Sequence, residues 1–208
     1  MTILFVCTGN TCRSPLALAA WRALQSRGEA PAAWSAFAAG LAPSRGEAAS
    51  QYTVEIARGW GIDLSGHRAR AVDEGALRQA DACVGLTASH ARALRQMLRF
   101  SSGPAPRVLC LSDFLPRRNE DGSLLRLLDP AGPEHSLSST EAPEIADPYG
   151  GSREAYQECA ALVEAAVAGL ARALREEGAL REENPGSSTW PACAPPQAAL
   201  EGEPPEPS

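Results

Sequence analysis

The chain has 208 residues, 44% of them hydrophobic and 21% charged, which allows one domain with a sizeable core and is too short for two comfortable ones. Its net charge of −6 argues against a nucleic-acid partner, and because all 19 basic residues are Arg it lacks the Lys on which a Walker phosphate loop depends. No apolar run reaches bilayer length and the start carries no basic leader, so a cytoplasmic protein with no membrane partner is expected.

Thr2 to Val6 reads as a short buried strand. Ser14-Pro15 opens a helix, Ser as its cap and Pro at the first helical position, with Leu18, Trp21 and Leu24 on one face and Gly28 as the stop. Trp34 to Ala38 alternates as a strand does, and Glu47 to Trp60 has helical spacing with Tyr52, Ile56 and Trp60 along one side. Ala82 to Thr87 suits a buried strand, followed by a helix from about Ser89 to Phe100 that turns Leu94, Met97 and Leu98 inward. Arg107 to Leu111 is a further strand. Arg117 to Ala146 is long, polar and rich in Pro, Gly and Ser, so it reads as an extended loop. A long helix then starts at about Ser152 and runs into the 170s, with Tyr156, Cys159, Val163, Ala166, Leu170 and Leu174 forming one buried stripe. Strands alternating with helices predict an α/β fold, a three-layer, doubly wound, four-stranded parallel sheet. The domain is expected to span residues 1–175, with the polar loop at 117–146. Residues 176–208 lose the pattern and end in Pro, Ala, Glu and Ser, as a disordered tail does.

The six Cys, at positions 7, 12, 83, 110, 159 and 193, form no C-x-x-C pair, and without a leader they read as thiols. His67, His90 and His135 are scattered, so neither a zinc site nor another cofactor is expected.

The segment that carries chemistry is Val6-Cys7-Thr8-Gly9-Asn10-Thr11-Cys12-Arg13-Ser14-Pro15, between the first strand and the first helix. In an open parallel sheet, ligands bind beyond the carboxyl ends of the strands. A loop that closes onto a helix start offers backbone N–H groups pointing one way, with the helix dipole behind them, and so favours a bound phosphate. Gly9 is expected to supply the sharp turn and Asn10 to tie the loop to itself. The helix start and Arg13 favour a thiolate at Cys7, to which Ser14 can donate a hydrogen bond. A thiolate there is a competent nucleophile toward phosphorus, and the planar fork of Arg13 can hold two phosphate oxygens.

This segment is similar, nearly residue for residue, to the phosphate-binding loop of the low-molecular-weight protein tyrosine phosphatase family. The similarity extends to Ala39-Gly40 after the second strand, to His67-Arg68-Ala69-Arg70, and to a late Asp-Pro-aromatic segment. It implies a doubly wound fold, a metal-free reaction through a phosphocysteine intermediate, and phosphorylated proteins as substrates. It also implies Cys7 and Arg13 as catalytic residues, and Thr8, Gly9, Asn10, Thr11, Cys12 and Ser14 as the phosphate-binding loop. The family takes its general acid from an Asp-Pro loop, and two Asp-Pro pairs exist here. Asp147-Pro148, followed by Tyr149 and Gly150-Gly151-Ser152 at the opening of the last helix, fits better than Asp129-Pro130 in the polar loop.

Thr11 and Tyr149 bear on substrate choice, and an Asp-Pro loop with the single aromatic Tyr149 followed by small glycines resembles that of the arginine-directed members. Tyrosine-directed members of the family usually carry a branched apolar residue at the position of Thr11, whereas its bacterial arginine phosphatases carry Thr in the same CTGNTCRSP context. A small hydroxyl side chain suits a polar guanidinium better than a phenyl ring. The expected substrate is therefore phosphoarginine in proteins, with phosphotyrosine as the alternative. Cys12 is the candidate partner for a reversible disulfide with Cys7. An arsenate reductase shares this loop but needs two further relay Cys on a middle segment, where Cys83 has no neighbour in sequence before Cys110. A non-catalytic phosphate-binding protein would not need Cys7, Arg13 and Asp147 together.

Overall fold

The computed structural model of the chain describes residues 1–100, 105–115 and 144–183. Among these, four parallel strands form one sheet: β1 (Thr2–Cys7), β2 (Ser35–Gly40), β3 (Ala82–Gly85) and β4 (Arg107–Cys110), in the order β2-β1-β3-β4. Helices α1 (Arg13–Ser26), α2 (Gln51–Gly59), α3 (Glu74–Gln79), α4 (Ala88–Leu98) and α5 (Arg153–Glu183) connect and flank them. The first crossover leads from β1 to β2 on one side, and the chain then returns to lay β3 on the other side of β1. That reversal opens a crevice at the carboxyl ends of β1 and β3, where ligands of such sheets bind.

β1 is buried from Ile3 to Cys7 because layers cover both faces of the sheet. Ile3, Phe5 and Cys7 face α1 and α5, whereas Leu4 and Val6 face α3 and α4, joined there by Cys83 and Leu94. Trp21 is fully buried against the first face, with its indole N–H donating to the Trp34 carbonyl at 3.4 Å. The stripe expected on α5 is buried at each of its six positions, from Tyr156 to Leu174. No helix among the described residues is long and apolar enough to cross a membrane.

Several expectations need correction. α1 begins at Arg13 with Cys12 at its cap and no side-chain cap bond, because the Ser14 hydroxyl is turned to Cys7 and the Ala39 carbonyl instead. α2 begins four residues after Glu47, since the Ser50 side chain accepts from Thr53 N–H and ends the preceding loop. α3 was not foreseen; its six residues are too few to show a period, and its signal is the Asp73 cap accepting from Ala76 N–H at 2.8 Å. The last helix does not lapse at 176. It continues to Glu183, and Glu177, expected in a tail, is 6% exposed and pairs with Arg107 through two contacts of 2.9 and 2.5 Å. Of the stretch expected as a polar loop at 117–146, the described residues 144–146 are irregular, but Ile145 is fully buried in the core beside α1 and α5. Residues 116–143 and 184–208 lie outside the described residues, and with them Asp129, His135 and Cys193.

Candidate active site

The loop from Cys7 to Arg13 leaves the middle strand pair and closes onto α1; four of its carbonyl groups accept hydrogen bonds from outside it, and a fifth accepts from within α1. Cys7 O accepts from Leu41 N–H at 2.9 Å, Thr8 O from Ala42 N–H at 3.0 Å, and Thr11 O from Ser50 N–H at 3.0 Å. Asn10 O accepts from His67 Nε2 at 2.7 Å, and Cys12 O from Leu16 N–H at 3.1 Å. In a planar trans peptide the next residue's N–H points opposite to the carbonyl. The amides of residues 8, 9, 11, 12 and 13 therefore face the other side of the loop, and Asn10 N–H reaches Cys7 Sγ at 3.3 Å. Such a ring of amides at a helix start binds an oxyanion.

The residue that bends the loop is Asn10, with φ 55°, and not Gly9. Asn tolerates the left-handed region because its side chain bonds locally. Here Nδ2 donates to Ser14 Oγ at 3.0 Å and Oδ1 accepts from Arg70 N–H at 3.0 Å, so the side chain ties the loop to α1 and to the segment beyond α2. Gly40 is the other backbone requirement. A Cβ there would lie 2.5 Å from Thr8 O and 3.0 Å from Asn10 N, so only glycine lets the loop rest on the end of β2.

Cys7 Sγ lies 3.0 Å from Ser14 Oγ, 2% exposed at the floor of this loop. Arg13 is 6% exposed; its Nη2 meets Asp147 Oδ2 at 2.5 Å and its Nη1 donates to Ile145 O at 3.4 Å. Its Nε is buried and has no hydrogen-bond partner among the described residues, which suits a site for an anionic oxygen. Asp147 is half-exposed and also accepts from Tyr149 N–H at 3.3 Å, which orients the carboxylate. Tyr149 stands exposed at the rim. The structure thus brings Asp147, distant in sequence, to the loop that carries Cys7 and Arg13. Thr11 is buried, with its hydroxyl 3.6 Å from Cys12 Sγ.

Three features of this neighbourhood escaped the sequence. His67 and His90 looked scattered, yet both bond the loop, His67 at Asn10 O and His90 Nε2 at Thr8 Oγ1, 3.0 Å away. Burial holds His67 below the ordinary histidine range, against the opposing pull of its bond to Asn10 O. Tyr156 Oη lies 3.2 Å from Cys12 Sγ, and burial first, then that contact, pushes the phenol up to about 12. The sequence signals here were the helical stripe that buries Tyr156 and the His67-Arg68-Ala69-Arg70 segment of the family resemblance, and neither revealed the contact. Elsewhere, burial pushes the Cys83 and Cys159 thiols up to about 12 and raises that of Cys110, so none of the three is a competing nucleophile at neutral pH. Cys83 faces α3 and α4, across the sheet from Cys7. A disulfide relay from Cys7 through Cys83 would have to cross the sheet.

Known proteins share this fold. The family model described as low molecular weight phosphotyrosine protein phosphatase matches residues 2–137. A low molecular weight protein-tyrosine-phosphatase of Streptomyces coelicolor is 34% identical over 84% of this chain and 94% of its own. Low molecular weight protein-tyrosine phosphatase A of Mycobacterium tuberculosis is 32% identical over 81% and 88%. Among solved structures, the YwlE arginine phosphatase of Geobacillus stearothermophilus superposes with a TM-score of 0.63 at 25% identity, covering 88% of this chain and 96% of that one. A tyrosine phosphatase of T. tengcongensis gives 0.61 at 28% identity, covering 83% and 99%. The chain therefore belongs to the low molecular weight phosphotyrosine protein phosphatase family, cysteine-dependent hydrolases of phosphorylated proteins.

Proposed function

We propose that the chain is a protein arginine phosphatase. The observation that carries this reading is Thr11, a short hydroxyl side chain in the phosphate loop where a branched apolar chain would be needed to pack on a phenyl ring. The polar character continues at Thr8 on the rim, and the Asp147 carboxylate already engages one guanidinium, that of Arg13. The likeness to proteins titled YwlE arginine phosphatase agrees with it. The alternative is phosphotyrosine, favoured by the names of the sequence relatives and by the exposed Tyr149, a ring able to stack on a phenyl group.

Either substrate would follow one course. Cys7 Sγ attacks phosphorus, the P–S bond forms as the P–N or P–O bond breaks, and Asp147 gives its proton to the leaving atom. Water then attacks the phosphocysteine and gives a proton to Asp147; the P–S bond breaks and the Cys7 thiolate returns. Arg13 and the loop amides hold the equatorial oxygens in both steps. Ser14 and Asn10 support Cys7 through the contacts above. Under peroxide, Cys7 would pass to its sulfenic acid and Cys12 would displace water from it to form a protective disulfide.

The test compares a phosphoarginyl protein with a phosphotyrosyl peptide for wild type, Thr11→Ile and Cys7→Ser. Preference for phosphoarginine, shifted toward phosphotyrosine at least tenfold by Thr11→Ile, supports the arginine reading. Wild-type preference for phosphotyrosine assigns the alternative.

A further inference from the structure

A chain of polar side chains, buried at Thr87 and His90, reaches the phosphate loop from the opposite side of the crevice. His90, in the first turn of α4, is 5% exposed, with Nε2 3.0 Å from Thr8 Oγ1 and Nδ1 2.6 Å from Thr87 Oγ1. Thr87 caps α4 by accepting from His90 N–H, and its hydroxyl also lies 2.8 Å from Ser89 Oγ. The approach depends on Gly85, the last residue of β3. A Cβ there would lie 2.4 Å from Ala91 N and 2.9 Å from His90 C, so α4 begins directly against the strand end. Leu86 N–H bonds Val6 O at 2.9 Å and fixes this turn to the strand that carries Cys7. The charged groups that act on His90 are Arg13 of α1 and Asp147.

We propose that His90 is a positioning residue for the dephosphorylation, holding Thr8 Oγ1 through its Nε2–H so that the Thr8 hydroxyl proton points at an oxygen of the bound phosphoryl group. One proton order satisfies every member of the chain. The Ser89 hydroxyl donates to Thr87 Oγ1, Thr87 donates to His90 Nδ1, and His90 Nε2–H donates to Thr8 Oγ1. The Thr8 proton is then left for the pocket. In the other order Thr8 gives its proton to Nε2 and offers an anion only lone pairs. A phosphoryl dianion therefore selects the first order. Thr8 is exposed at the mouth of the loop, next in sequence to the nucleophile, where such a donor meets the phosphoryl group. A buried imidazole between two hydroxyls and beside Arg13 stays neutral, as this role requires: burial first, then Arg13, depresses it to about 4 against the pull of Asp147. The inference rests on the phosphatase chemistry of the loop and is independent of which side chain carries the phosphate.

The experiment measures kcat and KM for an aryl phosphate, and the inhibition constant of inorganic phosphate, for wild type, Thr8→Val, His90→Ala, His90→Gln and the Thr8→Val/His90→Ala double variant. A hydrogen bond to a charged group contributes enough that its loss should lower kcat/KM about tenfold and weaken phosphate inhibition by a similar factor in Thr8→Val. His90→Ala should match it, the double variant should be no worse than about twofold below either single one, and His90→Gln, with an amide N–H in place of Nε2–H, should recover to within about threefold. Wild-type behaviour of Thr8→Val, or losses that multiply in the double variant, would overturn the proposal. If His90→Ala fails to fold, Thr8→Val at its exposed position and the His90→Gln protein still decide. A wild-type protein inactive on the aryl phosphate would instead remove the phosphatase reading beneath it.

Discussion

Asn10 shows how much of the site rests on single side chains. It takes the one left-handed non-glycine conformation among the described residues, bonds Ser14 and Arg70, and offers its N–H to Cys7 Sγ. Its identity was legible as a loop-tying residue, but the bend was read onto Gly9, because glycine is the default for positive φ and only the local bonds reveal that Asn holds it. The contacts of the two histidines were illegible for a different reason, since positions 67 and 90 meet the loop only through tertiary structure. They give the molecule a defined response to acid. In the unfolded chain both titrate near the ordinary histidine value, whereas in the fold His90 is depressed to about 4 and His67 is lowered too. Well above pH 6.5 both states are neutral and the linkage vanishes. As pH falls through about 6.5 toward 4 the unfolded chain binds protons that the folded one refuses, so stability declines across that window, by on the order of 3 kcal/mol for His90 over its full span. Urea melts at pH 7 and pH 5 should show the loss, and His90→Gln should flatten it. An equal loss in both proteins would show that His90 is protonated in the fold.

At the level of elements, β1 and β3 were legible as short apolar runs because both faces of the sheet are covered, and α4 and α5 because each buries a face long enough to repeat its period. α3 was not, and neither was the burial of Ile145, a lone apolar residue in a polar stretch whose carbonyl happens to receive Arg13 Nη1. Most of the catalytic set was readable because it lies in one contiguous strand–loop–helix segment; Asp147 came only through the family resemblance. What the segment did not reveal is its support from the neighbouring turns. Leu41, Ala42 and Ser50 N–H hold the loop carbonyls outward, and the contact of Gly40 with Thr8 O sets the distance between β2 and the loop. Gly40→Ala should therefore damage catalysis from outside the reacting groups. The new Cβ meets backbone on two sides, which cannot swing away as a side-chain end could, so the amides of the loop must move. A displacement of about 1 Å at a positioned group can cost on the order of 100-fold in rate. We expect kcat to fall by at least tenfold with the far-ultraviolet circular dichroism unchanged. A wild-type rate in the folded variant would show that the loop tolerates the shift.

Across the whole molecule, the two faces of the sheet divide the chemistry. Cys7, Arg13 and the α5 stripe share the α1 side, where Cys159 is also buried, while Cys83 lies on the α3 and α4 side. α5 is the member that spans this arrangement, since it begins just after Asp147 and packs along α1 to the far edge of the sheet at β4. Its anchor there is Glu177, buried and bonded to Arg107 through both carboxylate oxygens. Sequence periodicity missed this end because Glu in a late helix turn reads as solvent-facing, and only its distance from an Arg on a strand 70 residues earlier reveals the pair. The domain boundary should then fall beyond 177 and not at 175. A chain ending at Glu183 keeps the ion pair, and one ending at Arg175 removes a buried carboxylate that makes two charged hydrogen bonds. Such bonds contribute about 2 kcal/mol, offset in part by the desolvation of the ions. The shorter chain is expected to melt several degrees lower, and because α5 carries Tyr156 against Cys12, its kcat should fall earlier on warming. Equal melting temperatures for the two chains would return the boundary to 175 and make the Arg107–Glu177 contact energetically neutral.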